Sequence, residues 1–301
     1  GAYAVESNFG DYAPADLAAT IVKAVFAANT VDNGDLNSVE IFINQYTEQI
    51  QNSRGLDKTQ TRYSAMVEAI PTYNGQAQSV ELYEQYNFNT LDEAAVTRRI
   101  KEKLEEVKAR YEAKTPEQPL DCDVVLNRLE LGQLFMNIAS DLHYATVYSH
   151  SNLWSKGDRI QKERSGDSIS ITMCGEVSGS VRSSKFDSDG MSLGSIRIIE
   201  DGKAVNYYGS NRYGQYLNEV PTGDLPCMQV AAGTASEPDG AYLEVISMSG
   251  LQVDFFNDYI GGEIRLAYYC DGENTIPVTG ISITGSLKQV LSSIRLSCKE
   301  A

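Results

Sequence analysis

Between Pro14 and Asn29 apolar residues recur every four positions, with Leu17, Ile21 and Val25 on one face, and this spacing predicts a helix. Pro14 suits its first turn, where a missing N–H is no loss. From Ser38 to Phe88 the pattern changes to one of strands. Val39-Glu40-Ile41-Phe42-Ile43 predicts one strand, a further extended segment follows around Gln49 to Asn52, and a turn is expected at Arg54-Gly55. A long strand pair then breaks at Asn74-Gly75, a dipeptide that signals a hairpin because both residues tolerate positive φ. The whole reads as an antiparallel meander. Thr90 and Glu93 have the spacing of a capping box, worth about 1 kcal/mol at a helix start. Behind them Val96, Ile100, Leu104, Val107 and Tyr111 trace one apolar stripe, and the charged residues between them fall on the wet face.

Lys114 to Pro119 contains two prolines and reads as a linker. The boundary is placed there, giving an N-terminal α+β domain over residues 1–120 and a β-rich C-terminal domain over 121–301. Asp123 to Leu142 has the pattern of a strand and a helix compatible with either side. Beyond about Gly157 the chain is rich in glycine, serine and β-formers. Ile196 to Glu200, Asp201-Gly202 and Lys203 to Tyr208 form a hairpin pattern with a type I′ turn. Leu243 to Met248, Leu251 to Phe256, Glu263 to Cys270 and Thr275 to Thr284 predict further strands, with a turn at Asp271-Gly272. Ser286 to Ser293 predicts a closing helix whose buried side carries Leu287, Val290, Leu291 and Ile294. The expected fold class is α+β: an antiparallel meander with helices, then a mostly antiparallel β domain.

Composition narrows the function classes. Forty-one acidic residues against 25 basic ones give a formal charge of -16 in 301 residues, which repels phosphate backbones and anionic lipid, so no direct nucleic-acid binding is expected. No apolar run approaches the roughly 20 residues that span a bilayer, so no membrane association is expected. Gly1 to Glu6 has neither a basic nor an apolar signal-peptide region. Cys122, Cys174, Cys227, Cys270 and Cys298 are odd in number, widely separated and lack a CxxC pair, and they read as reduced thiols of a cytoplasmic protein.

Candidate chemistry is sparse. His143 and His150 are the only histidines. On one continuous helix seven residues would separate them by about 10 Å, too far for a shared zinc ion. They read as polar residues at a helix end and in a loop. Asp187-Ser188-Asp189-Gly190 is a fragment of a calcium-loop pattern without its distal glutamate. A turn held by local side-chain hydrogen bonds fits it better, with a cleft role for Asp187, Asp189 and Gly190 as the alternative. With only two histidines in the chain, the choices for a base that would activate a serine nucleophile are few. The 18 tyrosines suit strands, and also a peptide groove.

Ser183-Ser184-Lys185-Phe186-Asp187-Ser188-Asp189-Gly190, running into Ile198-Ile199-Glu200-Asp201-Gly202-Lys203, resembles the central motif of the TldD/PmbA family, the family also labelled modulator of DNA gyrase. Asn52-Ser53-Arg54-Gly55 and the stretch from Ile276 to Lys288 agree in order and spacing, and a Gly261-Gly262 turn also fits. The PmbA branch, also called TldE, is the closer likeness, and the resemblance covers roughly Val39 to Ile294. It implies a metallopeptidase fold whose TldD branch draws zinc ligands from a His-Glu-x-x-x-His helix and a cysteine near the chain end. Here that helix falls on Ala145-Thr146-Val147-Tyr148-Ser149-His150, where only His150 matches. Ala145 cannot ligate and Thr146 cannot act as the base that takes a proton from zinc-bound water. Cys298 lies outside the matching context, and the terminal cysteine is not reached by Ala301.

The resemblance therefore implies a subunit with no cofactor and no metal, forming a homo-dimer or a hetero-dimer with a zinc-bearing homologue and assisting it with extended peptides. The dimer surface and peptide cleft are expected beyond Gly157. Two alternatives stand beside it: an active metallopeptidase whose zinc residues come from another chain or from missing segments, and a non-catalytic structural or ligand-binding protein that retains the fold.

Overall fold

The computed structural model describes residues 1–236, 238 and 240–298. The expectation attached to Ala301 lies outside the described residues. The fold is α+β and divides into two compact units: Gly1–Glu112 with Glu176–Gly190, and Ala113–Gly175 with Met191–Ala301.

The first unit runs β1 (Ala2–Ala4), α1 (Pro14–Ala27), β2 (Gly34–Gln51), β3 (Asp57–Asn74), β4 (Ser79–Glu81), β5 (Glu84–Phe88) and α2 (Glu93–Glu112). β2 and β3 form one continuous antiparallel hairpin, from Gly34 opposite Tyr73 to Gln51 opposite Asp57, with an irregularity between Leu36 and Val39. The two separate segments read from sequence are thus one strand. The polar run between them stays extended because the β3 ladder satisfies its backbone whichever way its side chains face. At the tip Asn52 Oδ1 accepts the N–H groups of Arg54 (2.9 Å) and Leu56 (3.1 Å), and Gly55 takes φ 89°.

β4 and β5 pair antiparallel with β3, and β1 pairs with it in parallel. The loop after β3 spans Gly75 to Gln78 and closes through the Gly75 N–H to Gln78 O at 3.1 Å. Neither Asn74 nor Gly75 enters the left-handed region, contrary to the hairpin expectation. Glycine is needed there for space, since a Cβ on Gly75 would stand 2.2 Å from the Tyr111 ring.

Helix α2 is capped by Asp92 rather than by Thr90. Asp92 Oδ1 accepts the Ala95 N–H at 3.0 Å, while the Thr90 hydroxyl turns to Asn89. Leu17, Ile21 and Val25 of α1 and Val96, Ile100 and Leu104 of α2 bury themselves with Ala65, Val67, Ala69 and Phe88 of the sheet. Glu84, only 5% exposed, is held by Arg99 at 2.7 Å and Lys103 at 3.7 Å, which offsets the penalty of burying its charge.

The segment Glu176–Gly190 packs with this unit because the buried Gln60 side chain engages it. Gln60 Nε2 donates to Ser184 Oγ (3.0 Å) and Phe186 O (3.3 Å), and its Oε1 accepts the Lys185 N–H (2.9 Å).

The second unit runs β6 (Asp123–Leu126), α3 (Arg128–Asp141), α4 (Tyr144–Tyr148), β7 (Ile171–Cys174), β8 (Ser195–Glu200), β9 (Lys203–Ala204), α5 (Asn211–Tyr216), β10 (Cys227–Val230), β11 (Tyr242–Met248), β12 (Gln252–Asp254), β13 (Tyr259–Cys270), β14 (Thr275–Val278), β15 (Ile281–Ser286) and α6 (Leu287–Ser293). One sheet has the order β10-β7-β8-β9 and is antiparallel. The other has the order β12-β13-β11-β6, with β14 and β15 also on β13 and only β6 parallel to its neighbour. Leu134, Phe135 and Ile138 of α3, Ile171 and Met173 of β7, Leu243 and Val245 of β11, and Leu287 and Leu291 of α6 share one apolar cluster.

Asp201 and Gly202 both take positive φ, 46° and 71°, as the I′ reading requires. Gly261 and Gly262 lie inside β13 and make no turn. A Cβ on Gly261 would meet Ile283 O at 2.5 Å, and one on Gly262 would meet Gly250 O at 2.7 Å, so both permit close backbone approach. The strand expected from Thr275 to Thr284 divides at Gly280, φ 69°, into β14 and β15. The front of the proline-bearing linker is also built in, with the Lys114 N–H donating to Pro277 O at 3.3 Å. No described helix is long and apolar enough to cross a membrane.

Candidate functional site

The stretch that the family resemblance aligns with the zinc helix, Ala145 to His150, forms α4 and the turn after it. Helix α3 ends at Asp141, and the chain reaches His143 in extended conformation, where the imidazole serves as the N-cap of α4. His143 Nδ1 accepts the Ala145 N–H at 3.1 Å, and Nε2 lies 3.1 Å from Asp224 Oδ1. Because Nδ1 must be an acceptor, Nε2 carries the proton and donates to Asp224. That bond holds the Asp224 carboxyl below the ordinary carboxylate range, against the opposing effect of its burial. The Tyr208 ring stands edge-on to the imidazole at 5.1 Å.

Thr146 Oγ1 donates to Ser140 O at 2.8 Å. Helix α4 stops at Tyr148, and His150 follows it in the left-handed region at φ 57°, exposed. The two histidines therefore share no continuous helix: one caps the start of α4 and the other lies in the turn beyond its end.

A zinc ion of the family type does not fit these residues. Ala145 offers no donor atom, the Thr146 hydroxyl is given to a backbone carbonyl, and both ring nitrogens of His143 are engaged. Among the described residues no three His, Cys, Asp or Glu side chains group as metal ligands.

Two features of this region were not foreseen from sequence. Asp141 is 5% exposed, and its carboxylate accepts the N–H groups of Leu153 (2.7 Å) and Trp154 (3.0 Å). Burial pushes its carboxyl up, and the two N–H bonds pull it part of the way back. A single aspartate ending an apolar helix carries no sequence signal for that role. The second feature is an aromatic cluster where α4 meets α5: Tyr148 lies 5.6 Å from Tyr213 and 5.3 Å from Tyr216, between ring centroids. Three tyrosines spread over two helices reveal themselves only when the helices pack.

Asp187, Asp189 and Gly190 lie in the first unit. Asp187 Oδ1 accepts the Asp189 N–H at 3.0 Å, and the Gly190 N–H donates to Asp187 O at 2.9 Å. Gly190 takes φ 78°, its carbonyl accepts Lys58 Nζ at 2.8 Å, and a Cβ there would stand 2.5 Å from Leu56 Cδ2. The geometry is that of a side-chain-closed turn. Cys122 is half-buried, Cys174, Cys227 and Cys270 are buried, Cys298 is exposed, and no disulfide links them.

The second unit packs helices against mostly antiparallel sheets, an arrangement whose class sequence comparison identifies. Residues 119–301, more than half of the chain, match the family model of the PmbA/TldA metallopeptidase C-terminal domain, and the chain belongs to this family. Its fold is similar to that of TldE from Thermococcus kodakarensis, with a TM-score of 0.79 at 14% identity over 96% of this chain and 70% of that one. It is also similar to a protein described as a modulator of DNA gyrase from Bacteroides thetaiotaomicron, with a TM-score of 0.75 at 14% identity over 95% of this chain and 66% of the other. A third, described likewise and from Thermotoga maritima, gives 0.70 at 14% identity over 94% and 69%. No curated protein sequence matches the chain significantly.

Proposed function

We propose that this chain is a zinc-free member of the PmbA branch, a binding subunit that presents extended peptides to a zinc-bearing homologue. The observation that carries the reading is the donor set around α4. His143 is committed on both nitrogens, Thr146 is committed to Ser140, and Ala145 has nothing to give. The short peripheral strands β6 and β10 of the second unit support the peptide part, since a peripheral strand can accept an extended chain through main-chain hydrogen bonds without reading its sequence.

The test uses the full chain, a fluorescein-labelled unfolded peptide, and a homologue from the same genome with an intact His-Glu-x-x-x-His helix. Anisotropy should report peptide binding that survives EDTA, the chain alone should not cleave the peptide, and adding it should raise cleavage by the homologue. Zinc-dependent cleavage by the repurified chain alone would establish the active-metallopeptidase alternative instead. Absence of both binding and stimulation would remove the peptide from the reading.

A further inference from the structure

The β10-β7 edge of the first sheet in the second unit sets two thiols against each other. Cys174 and Cys227 are direct register partners, followed by Met173 with Met228, Thr172 with Gln229 and Ile171 with Val230. Strand alternation sends Ile171, Met173, Met228 and Val230 to the apolar cluster, so Thr172, Cys174, Cys227 and Gln229 share the other face. Across β8 that face continues with Ser195 and Arg197. The two cysteines are therefore not part of the main apolar core, although they are only 5% and 4% exposed.

The phase of the ladder fixes their separation. The Ala231 N–H donates to Ser170 O at 3.0 Å, which makes that opposed pair a hydrogen-bonded one. Counting by two, Thr172 with Gln229 and Cys174 with Cys227 are hydrogen-bonded pairs as well, with Cα atoms about 5.5 Å apart. This distance lies within the range a disulfide spans, while side chains in such a pair diverge more than a relaxed disulfide prefers.

We propose that Cys174 and Cys227 form a reversible intrachain disulfide when the protein meets a low-molecular-weight disulfide such as oxidised glutathione. One cysteine thiolate attacks a glutathione sulfur, the glutathione S–S bond breaks, and glutathione thiolate leaves and takes a proton. The second cysteine thiolate then attacks the protein sulfur of the mixed disulfide and releases the second glutathione. Two protein thiols are oxidised, one external disulfide is reduced to two thiols, and one Cys174–Cys227 bond is formed. Access comes by opening β10, a four-residue strand at the end of its sheet. Burial and the neighbouring Cys227 raise the Cys174 thiol above its ordinary value, so the reaction is slow at neutral pH and quickens as pH rises.

The experiment incubates the full chain in glutathione buffers of increasing oxidised fraction. Samples are quenched in acid, alkylated in denaturant and read by intact mass and peptide mapping. Two thiols should disappear together, and a linked peptide pair containing Cys174 and Cys227 should appear and vanish again with reduced glutathione. In Cys227→Ser the linked pair should be lost and Cys174 should be found alkylated or glutathionylated. Full alkylation of both cysteines in pure oxidised glutathione, under conditions that modify the exposed Cys298, would overturn the proposal. So would Cys174 or Cys227 carrying glutathione alone in the wild type, and because both of these readings come from the wild type, they hold even if the variant fails to fold.

Discussion

Gln161 offers the most direct test of what holds the second unit together. Its amide is 2% exposed and makes three bonds to backbone: Nε2 to Asp167 O (2.9 Å) and Leu291 O (2.7 Å), and Oε1 from the Ile169 N–H (2.8 Å). It thereby joins the loop before β7 to the last turn of α6. In Gln161→Leu the volume is nearly kept and the bonds are lost. The Leu291 and Ile169 bonds are fully buried, and each orphaned group there costs about 1–3 kcal/mol. With a smaller loss at Asp167, the expected destabilisation is about 3–5 kcal/mol, a large share of the roughly 5–15 kcal/mol typical of a domain. With a urea slope of about 2 kcal/mol/M, the midpoint should fall by about 2 M. Gln161→Glu supplies a signed control. It places an oxygen against two carbonyls, so its folded-state pKa is raised above the ordinary value of about 4.3. The protonated acid can still donate to one carbonyl, so this variant should be nearest wild type below that value and should lose stability as pH rises through the folded pKa. Urea unfolding at pH 4 and pH 7 measures both variants. A loss under about 1 kcal/mol in the leucine variant, or a glutamate variant whose gap to wild type is the same at both pH values, would refute the reasoning.

Gly75→Ala should destabilise the fold through overpacking against Tyr111, by about 1–3 kcal/mol in urea unfolding, and Tyr111→Ala should remove most of that penalty; additive losses in the double variant would count against the contact. The Asp167 carboxyl lies below the ordinary carboxylate value because the Thr234 hydroxyl and the Leu296 N–H bond its charged form. A depressed folded pKa gives stability that is complete above the unfolded value of about 3.9 and is lost as pH falls through the folded one. Asp167→Ala should therefore lag wild type more at pH 6 than at pH 3 in urea unfolding, and an equal gap would sink the assignment. Elemental analysis of protein purified without chelator should find no stoichiometric zinc, whereas about one zinc per chain that disappears in His150→Ala would reverse the reading of α4.

Periodicity located the elements that bury one face. Leu17, Ile21 and Val25 announced α1, Val96 through Val107 announced α2, and Asp201-Gly202 announced its turn because the dihedrals demand those residues. Glycines that answer to distant neighbours were misread, since nothing local distinguishes a Gly75 cleared for Tyr111, or a Gly261 cleared for Ile283 O, from a turn glycine. The cap of α2 moved from Thr90 to Asp92 because Thr90 sits beside Asn89, which takes its hydroxyl. At the candidate site, residue identity alone told that Ala145 cannot ligate. The capping role of His143 depended on Asp224, 81 residues away, and could not be read locally. Truncation at Gly157, where the glycine- and serine-rich composition begins, would remove Leu134, Phe135, Ile138 and Leu142 from the apolar cluster of the second unit.

The chain passes between its two units at residues 112/113, 175/176 and 190/191, and the Gly175 N–H to Gly194 O bond at 2.8 Å closes the excursion at its base. A single genetic crossover at the proline-bearing linker would therefore join a foreign first 112 residues to a C-terminal segment that still carries the native Ser184, Lys185 and Phe186, the first-unit partners of Gln60. Viable hybrids between relatives should exchange the excursion together with the first 112 residues. Substitutions at Gln60 and at positions 184–186 should accordingly be inherited as one block, although more than a hundred residues of sequence lie between them.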